Sequence, residues 1–194
     1  MNKLLSFVAL VAFLIVMGIQ ADSTASLNTK SNFMIQDTLI PAKVQLEKTN
    51  FKDMSVLFIT DTAATTETIK DILGKGYREL LQFIQQNKLQ PLKFMGWYYS
   101  TQPPWPVDIA VETVNMPEQL SGRIRSRILK GGEVLIAHVW GSYDEVGQGY
   151  AKIQTWLKEN KRKAKGSPFE VYINDPSVVK DPSEIQTDIY QPLE

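Results

Sequence analysis

The spacing of apolar residues divides the chain into short strand-like segments and two longer segments with a helical period. Alternating or short apolar segments predict strands at 44–47, 54–59, 94–99, 107–114, 124–129, 134–140, 169–173 and 185–190. Residues 65–88 and 144–161 place apolar side chains at steps of three and four, which predicts two amphipathic helices. The same order of elements therefore occurs in both halves.

The two predicted helices also resemble each other in sequence. Residues 76–88 align with residues 149–161 at four identical positions, and both segments begin with Gly-Tyr. A later strand in each half carries Asp-Ile, at 108–109 and at 188–189. Such self-similarity at matching places indicates an internal duplication.

The duplication predicts an α+β fold. Two strand-helix-strand-strand units, at about 40–115 and 122–194, would form one mainly antiparallel sheet with both helices on one face. The uncovered face of the sheet, or the groove between the units, is then the expected place for a ligand.

The first 21 residues differ from the rest. Lys3 precedes an apolar run at 4–19, and no charge follows until Asp22, which is typical of a secretory signal. The run is close to the roughly 20 apolar residues that span a bilayer, so an uncleaved membrane anchor is the alternative. A Ser- and Thr-rich linker follows at 22–39. We expect the domain at 40–194 to be exported, either periplasmic or anchored and facing away from the cytoplasm.

Composition excludes several kinds of site. Lysine plus arginine and aspartate plus glutamate number 21 each, so no net charge favours nucleic acid. The chain has no cysteine and a single histidine, His138, which excludes thiolate and histidine-cluster metal sites. It also lacks a phosphate-binding glycine motif. We therefore expect no metal, no cofactor and no nucleic-acid partner. A structural, hydrogen-bonded His138 is favoured over a catalytic one.

Aromatic residues and one carboxylate are the candidate binding groups. Strand alternation places Trp97 and Tyr99 on one face and Tyr98 on the other. Glu170 and Tyr172 likewise share a face of an apolar strand, where an inward carboxylate is costly unless it is paired. Glu170 is then either an ordinary surface residue or a pocket acid for a cationic ligand, and the aromatic residues either fill the core or line a pocket.

The second half resembles GyrI-like domains, which occur alone or as effector-binding parts of bacterial transcription activators. The resemblance is carried by ordered motifs at 138–143, 150–160, 166–172, 175–176 and 187–193. It implies a duplicated fold that binds hydrophobic, often cationic compounds against aromatic rings and a glutamate. The glutamate and tyrosine of the family fall on Glu170 and Tyr172. Asp188 stands where the family usually has glutamate, as a groove acid or only a strand-end residue.

We therefore expect a non-catalytic binder of small hydrophobic molecules, cationic ones included. The expected ligand-binding residues are Glu170, Tyr172, Trp97, Tyr99 and Tyr190. One alternative is a hydrolase of strained electrophiles that uses Glu170 as a base, since some GyrI-like proteins have this activity. The other is a membrane-tethered protein-interaction module, which would expose an apolar patch.

Overall fold

The computed structural model describes residues 43–175 and 178–194. Eight strands are formed by Lys43–Phe51 (β1), Met54–Ala63 (β2), Pro91–Tyr98 (β3), Trp105–Thr113 (β4), Arg125–Leu129 (β5), Gly132–Trp140 (β6), Phe169–Tyr172 (β7) and Gln186–Pro192 (β8). Two helices are formed by Thr66–Gln86 (α1) and Val146–Glu159 (α2), and two 3-10 turns by Tyr143–Glu145 and Pro182–Glu184. The predicted signal or anchor and the linker lie outside the described residues. In the part described, no helix is long and apolar enough to cross a membrane.

All eight strands belong to one antiparallel sheet in the order β1-β6-β8-β7-β3-β4-β2-β5. The α+β architecture expected from the apolar pattern is therefore confirmed. Strands β1 to β4 of the first half correspond in order to β5 to β8 of the second half. When each strand is replaced by its counterpart, the order reads the same from either edge of the sheet. Each edge strand pairs within the opposite half, because β1 joins β6 and β5 joins β2. The duplication itself stays a prediction.

The two helices cover different ends of the sheet. Helix α1 packs against β2 and β4, whereas α2 packs against β6, β1 and β8. The central strands β3 and β7 lie between these two regions. Helix α1 begins with a capping box. The Thr65 side chain accepts a hydrogen bond from the backbone N–H of Thr68, and the Thr68 side chain accepts one from the backbone N–H of Thr65.

The sheet is curled, so that its two edges meet. Only Lys52 and Asp53 separate β1 from β2, although five strands lie between them in the sheet. The connection between β5 and β6 is equally short, and the two connections touch. Asp53 accepts a hydrogen bond from the backbone N–H of Gly131 at 2.8 Å and forms an ion pair with Lys130 at 2.8 Å.

The face without helices lies inside this curl and is filled by side chains. Its buried core is formed by Met54, Val56, Met95, Trp97, Ala110, Phe169 and Val171. Phe169 stacks between Trp97 and Tyr190, with ring centroids 4.7 Å and 5.1 Å apart. Around these buried residues, therefore, the helix-free face is core, and the part of the sheet between the helices is the better candidate for a site.

Both helices approach the sheet closely at a glycine. A Cβ on Gly76 would collide with the side chain of Ile109 on β4. A Cβ on Gly149 would lie 2.5 Å from Cγ2 of Val139 and 2.6 Å from Cδ1 of Ile189. The Gly-Tyr dipeptides that begin the aligned segments therefore mark the points where each helix touches the sheet.

We expect Gly149→Ala to lower the free energy of unfolding by up to about 2 kcal/mol. Overpacking a filled core costs about 1–3 kcal/mol, which outweighs the gain of about 1 kcal/mol from replacing glycine in a helix. Gly147→Ala is the matched control, because no atom lies within 4 Å of its Cβ position. Chemical denaturation should show that this variant is as stable as the wild type or more so. Equal effects at both positions would contradict the close approach.

Candidate functional site

The central strands β3 and β7 bring a glycine beside a glutamate. Their register pairs Gly96 with Glu170 and Phe94 with Tyr172. Paired residues of an antiparallel sheet point to the same face. Phe94 and Tyr172 pack against the core beneath α1, so Glu170 also points to the helix-covered face. Its position between the two helices is thus set by strand register alone.

Glu170 is buried, with 7% of its surface exposed. Oε1 accepts a hydrogen bond from the Tyr150 hydroxyl and Oε2 accepts one from the Tyr172 hydroxyl, both at 3.0 Å. Burial raises the pKa of the Glu170 carboxyl to about 7, because leaving water disfavours the charged form. The two hydroxyl donors oppose this rise, since they stabilise the carboxylate. Among the described residues, no hydrogen bond or salt bridge places a cation on this carboxylate.

Tyrosines surround this carboxylate, and we call them the tyrosine cluster. Its members are Tyr77, Tyr98, Tyr143, Tyr150 and Tyr172. The hydroxyls of Tyr98 and Tyr172 lie 3.1 Å apart, and the Tyr143 ring stands edge-on to the Tyr172 ring. The Tyr77 hydroxyl donates to the carbonyl of Met95 at 2.9 Å. Both halves of the chain therefore contribute side chains to the cluster.

The hydroxyl protons have a defined direction when Glu170 is ionised. Tyr172 uses its proton on Glu170, so its oxygen accepts from Tyr98. Burial raises the pKa of both tyrosines, and the charge of Glu170 raises it further. The same two causes raise the pKa of Tyr143 to about 12. The cluster is therefore neutral at physiological pH, and Glu170 is the group in it that can carry charge.

Gly96 leaves room for this arrangement. A Cβ at position 96 would lie 2.8 Å from the Tyr172 hydroxyl oxygen and 3.3 Å from Cε2 of Tyr98. Any larger residue would push the Tyr172 hydroxyl away from Glu170. The floor of the cluster is thus bare backbone, over which the rings can lie.

The structure divides the five predicted binding residues between the two faces of the sheet. Glu170 and Tyr172 lie together in the tyrosine cluster. Trp97 and Tyr190 lie on the opposite face, where both stack on Phe169. Tyr99 is also there, and its hydroxyl donates to Asp108 at 2.6 Å. The alternation of faces was predicted correctly, but the assumption that all five residues share one site does not match the geometry.

Tyr99 belongs to a polar group around a buried aspartate. Asp108 is 3% exposed and accepts hydrogen bonds from the hydroxyls of Thr60 and Tyr99. It also forms an ion pair with Arg127 at 2.8 Å. The guanidinium of Arg127 lies over the rings of Phe58 and Trp97, 4.5 Å and 4.0 Å from their centroids. The ring of Trp97 is thus covered by a cation of the protein itself and by Phe169.

His138 and Asp188 form a second polar pair on the same face of the sheet as Asp108. Nδ1 of His138 lies 2.9 Å from Oδ1 of Asp188, and Nε2 lies 3.2 Å from a carboxylate oxygen of Glu47. Gln186 also donates to Asp188 at 2.8 Å. Asp188 therefore lies outside the tyrosine cluster. In the part of the chain described, no group of three or more His, Cys, Asp or Glu residues could hold a metal ion.

Tyr77, Tyr98, Tyr143 and Tyr150 were missed as site residues by the sequence reasoning. Tyr77 and Tyr150 each follow the glycine at which a helix touches the sheet. A tyrosine on the apolar face of a helix needs a partner for its hydroxyl, and that requirement is the signal that could have found them. Tyr98 could have been found because it alternates with Trp97 and so faces the helices.

Comparisons with known proteins identify the family and the fold. A model of the family described as "GyrI-like small molecule binding domain" matches residues 45–194, which is most of the chain. The chain belongs to this family. The match covers both halves of the GyrI-like domain, including the first half, where the sequence resemblance was mainly architectural. A comparison with curated protein sequences gave no match.

Solved structures share the fold of this GyrI-like domain. The C-terminal domain of EcmrR aligns with a TM-score of 0.63 at 17% identity, covering 78% of this chain and 98% of that one. EcmrR in its DNA complex aligns with a TM-score of 0.67 at 16% identity, covering 78% of this chain, but the chain spans only 57% of EcmrR there. An uncharacterized conserved protein from Listeria innocua aligns with a TM-score of 0.59 at 11% identity, covering 77% and 92%.

Proposed function

We propose that this GyrI-like domain binds small hydrophobic cations in the tyrosine cluster, with Glu170 as the counter-charge. The observation that carries the proposal is a buried carboxylate whose hydrogen-bond donors are neutral hydroxyls. A buried carboxylate without a cationic partner is costly to the fold. A positively charged guest would supply that partner.

The rings around Glu170 suit such a guest. Tyr98, Tyr143, Tyr150 and Tyr172 are only partly buried, so each keeps some surface that a ligand can reach. The face of an aromatic ring attracts a cation and also buries apolar surface. Rings around a single carboxylate therefore favour a cation whose charge is surrounded by carbon, such as a quaternary ammonium.

Glu170→Gln tests the proposal with two ligands of the same shape. Benzyltrimethylammonium is cationic, and neopentylbenzene is its neutral isostere. We expect the substitution to weaken binding of the cation about tenfold, which corresponds to about 1.4 kcal/mol, and to leave binding of the neutral ligand unchanged.

For the wild type, affinity for the cation should rise with pH up to about 7 and then level off, because binding requires the Glu170 carboxylate. Calorimetric titration measures both effects.

The control is Glu118→Gln, which removes a carboxylate from an exposed loop position. It should bind the cation as the wild type does. Equal losses for the cation and the neutral isostere in Glu170→Gln would overturn the role of Glu170. Turnover of styrene oxide that stops in Glu170→Gln would instead assign the hydrolase alternative.

We also propose that the domain acts outside the cytoplasm. The support is the basic start and the apolar run at 4–19, followed by a polar linker. Fractionation of cells that express the full chain, with mass measurement of the mature protein, checks this. Recovery of the intact chain in the cytoplasmic fraction would contradict export.

A further inference from the structure

Strands β3 and β7 separate at one end, next to the tyrosine cluster. Strand β3 starts at Pro91, but it pairs with β7 only from Phe94 onward. Its register with β4 also shifts between Pro91 and Phe94. Leu92 and Lys93 therefore have no partner residue in β7, and a gap opens between the two central strands.

A cavity of about 310 Å³ occupies this gap. It is lined by Leu92, Lys93, Phe94, Val171, Tyr172, Ile173 and Asp175. Its volume is at the lower end of the range for small-molecule sites, which is about 300–1,000 Å³. Tyr172 connects it to the cluster, because this residue lines the cavity while its hydroxyl donates to Glu170.

The walls of this cavity are mainly apolar, with three aliphatic and two aromatic residues beside Lys93 and Asp175. Leu92 is 49% exposed and Ile173 is 47% exposed, so two large apolar side chains stand at its rim. The ammonium of Lys93 is 2.8 Å from Glu112, so its charge is neutralised there and its methylenes are left to line the wall. Exposed aliphatic side chains that flank a cavity are typical of a site that binds hydrocarbon.

We infer that the natural ligands are amphiphilic cations, whose alkyl tail occupies this cavity while the cationic head lies at Glu170. The inference rests on the proposed function for the head, and the cavity adds the tail. Tyr172 stands between the two parts, with its hydroxyl directed to Glu170 and its ring facing the tail. A compact cation would fill only the first part, and a cation with a linear chain would fill both.

The test is a series of n-alkyltrimethylammonium ions, from methyl to decyl, titrated into the full chain below their micelle concentrations. Each added methylene that enters the cavity should tighten binding about three- to fourfold, until the cavity is full. Ile173→Asn should flatten this dependence and leave the affinity for tetramethylammonium unchanged. Ile128→Asn is the matched control, since Ile128 is an exposed isoleucine of the edge strand β5, and it should keep the full dependence on chain length.

The outcomes separate this inference from the proposed function. Binding that depends on Glu170 but not on chain length overturns the tail site and leaves the cation site standing. The tail site is also overturned if Ile173→Asn weakens tetramethylammonium as much as it weakens the decyl ion. A chain-length dependence that Ile173→Asn abolishes, but that Glu170→Gln leaves unchanged in both slope and affinity, keeps the tail site and overturns the cation site.

Discussion

Asp108→Asn is expected to lower the free energy of unfolding by about 2–4 kcal/mol, because it leaves the Arg127 guanidinium without its carboxylate. The Asp108 side chain is 5% exposed and that of Arg127 is 27% exposed. Nε and Nη2 of Arg127 are already buried without a hydrogen-bond partner, so the ion pair is its main polar contact. Chemical denaturation of the purified variant measures the loss.

Substitution of the partner, Arg127, should lower the free energy of unfolding by less. Arg127→Met leaves Asp108 with hydrogen bonds from Thr60 and Tyr99, both at 2.6 Å, and keeps an apolar side chain between the rings. The double variant should be more stable than Asp108→Asn alone, since it removes both buried charges. The exposed pair of Lys130 and Asp53 is the comparison, and Lys130→Ala should stay close to the wild type. A loss in Asp108→Asn no larger than that in Lys130→Ala would show that the buried pair is dispensable.

The stability of Glu170→Gln relative to the wild type should be greater at neutral and alkaline pH than in acid. In the unfolded chain the Glu170 carboxyl titrates near 4.5, and in the folded protein burial raises its pKa to about 7. The folded state therefore binds the proton more tightly. As pH rises from about 4.5 to about 7, the wild type should lose up to about 3 kcal/mol of stability that the variant keeps. Above that range the difference should be constant.

Denaturation curves at pH 4.5, 6, 7 and 8 check this prediction. The quantity to compare is the change in the stability difference with pH, because altered hydrogen bonds to Tyr150 and Tyr172 add a constant. Glu118→Gln should show no such change, since the residue is exposed. A difference that is flat over this pH range would mean that Glu170 has an ordinary pKa. The carboxylate would then be ionised at neutral pH without a burial cost that a cation could offset.

Most elements of the fold could be predicted because their signals are local. The period of apolar residues located both helices and all the strands, since periods of 3.6 and 2 follow from backbone geometry. The pairing of each edge strand with the opposite half of the chain could not be predicted in this way. Whether β1 pairs with β6 or with its own half depends on contacts between residues such as Lys43 and Trp140, which lie far apart in the chain.

The candidate site was predicted only where alternation along one strand decides it. Glu170 and Tyr172 share a face because they are two residues apart, and the structure places them in hydrogen-bond contact. Trp97 and Tyr190 were grouped with them by residue type. Which face of β3 meets Glu170 is decided by the pairing of Gly96 with Glu170. No single segment of sequence carries that register.

The exchange of edge strands also has a consequence for biosynthesis. Strand β1 is the first described element to leave the ribosome, yet its partner β6 follows only after the whole first half has been made. Until then β1 presents unpaired backbone groups that can join a foreign strand. The nascent first half therefore cannot be completed as an independent folding unit, and a truncated chain that lacks β6 should require chaperone protection to avoid aggregation.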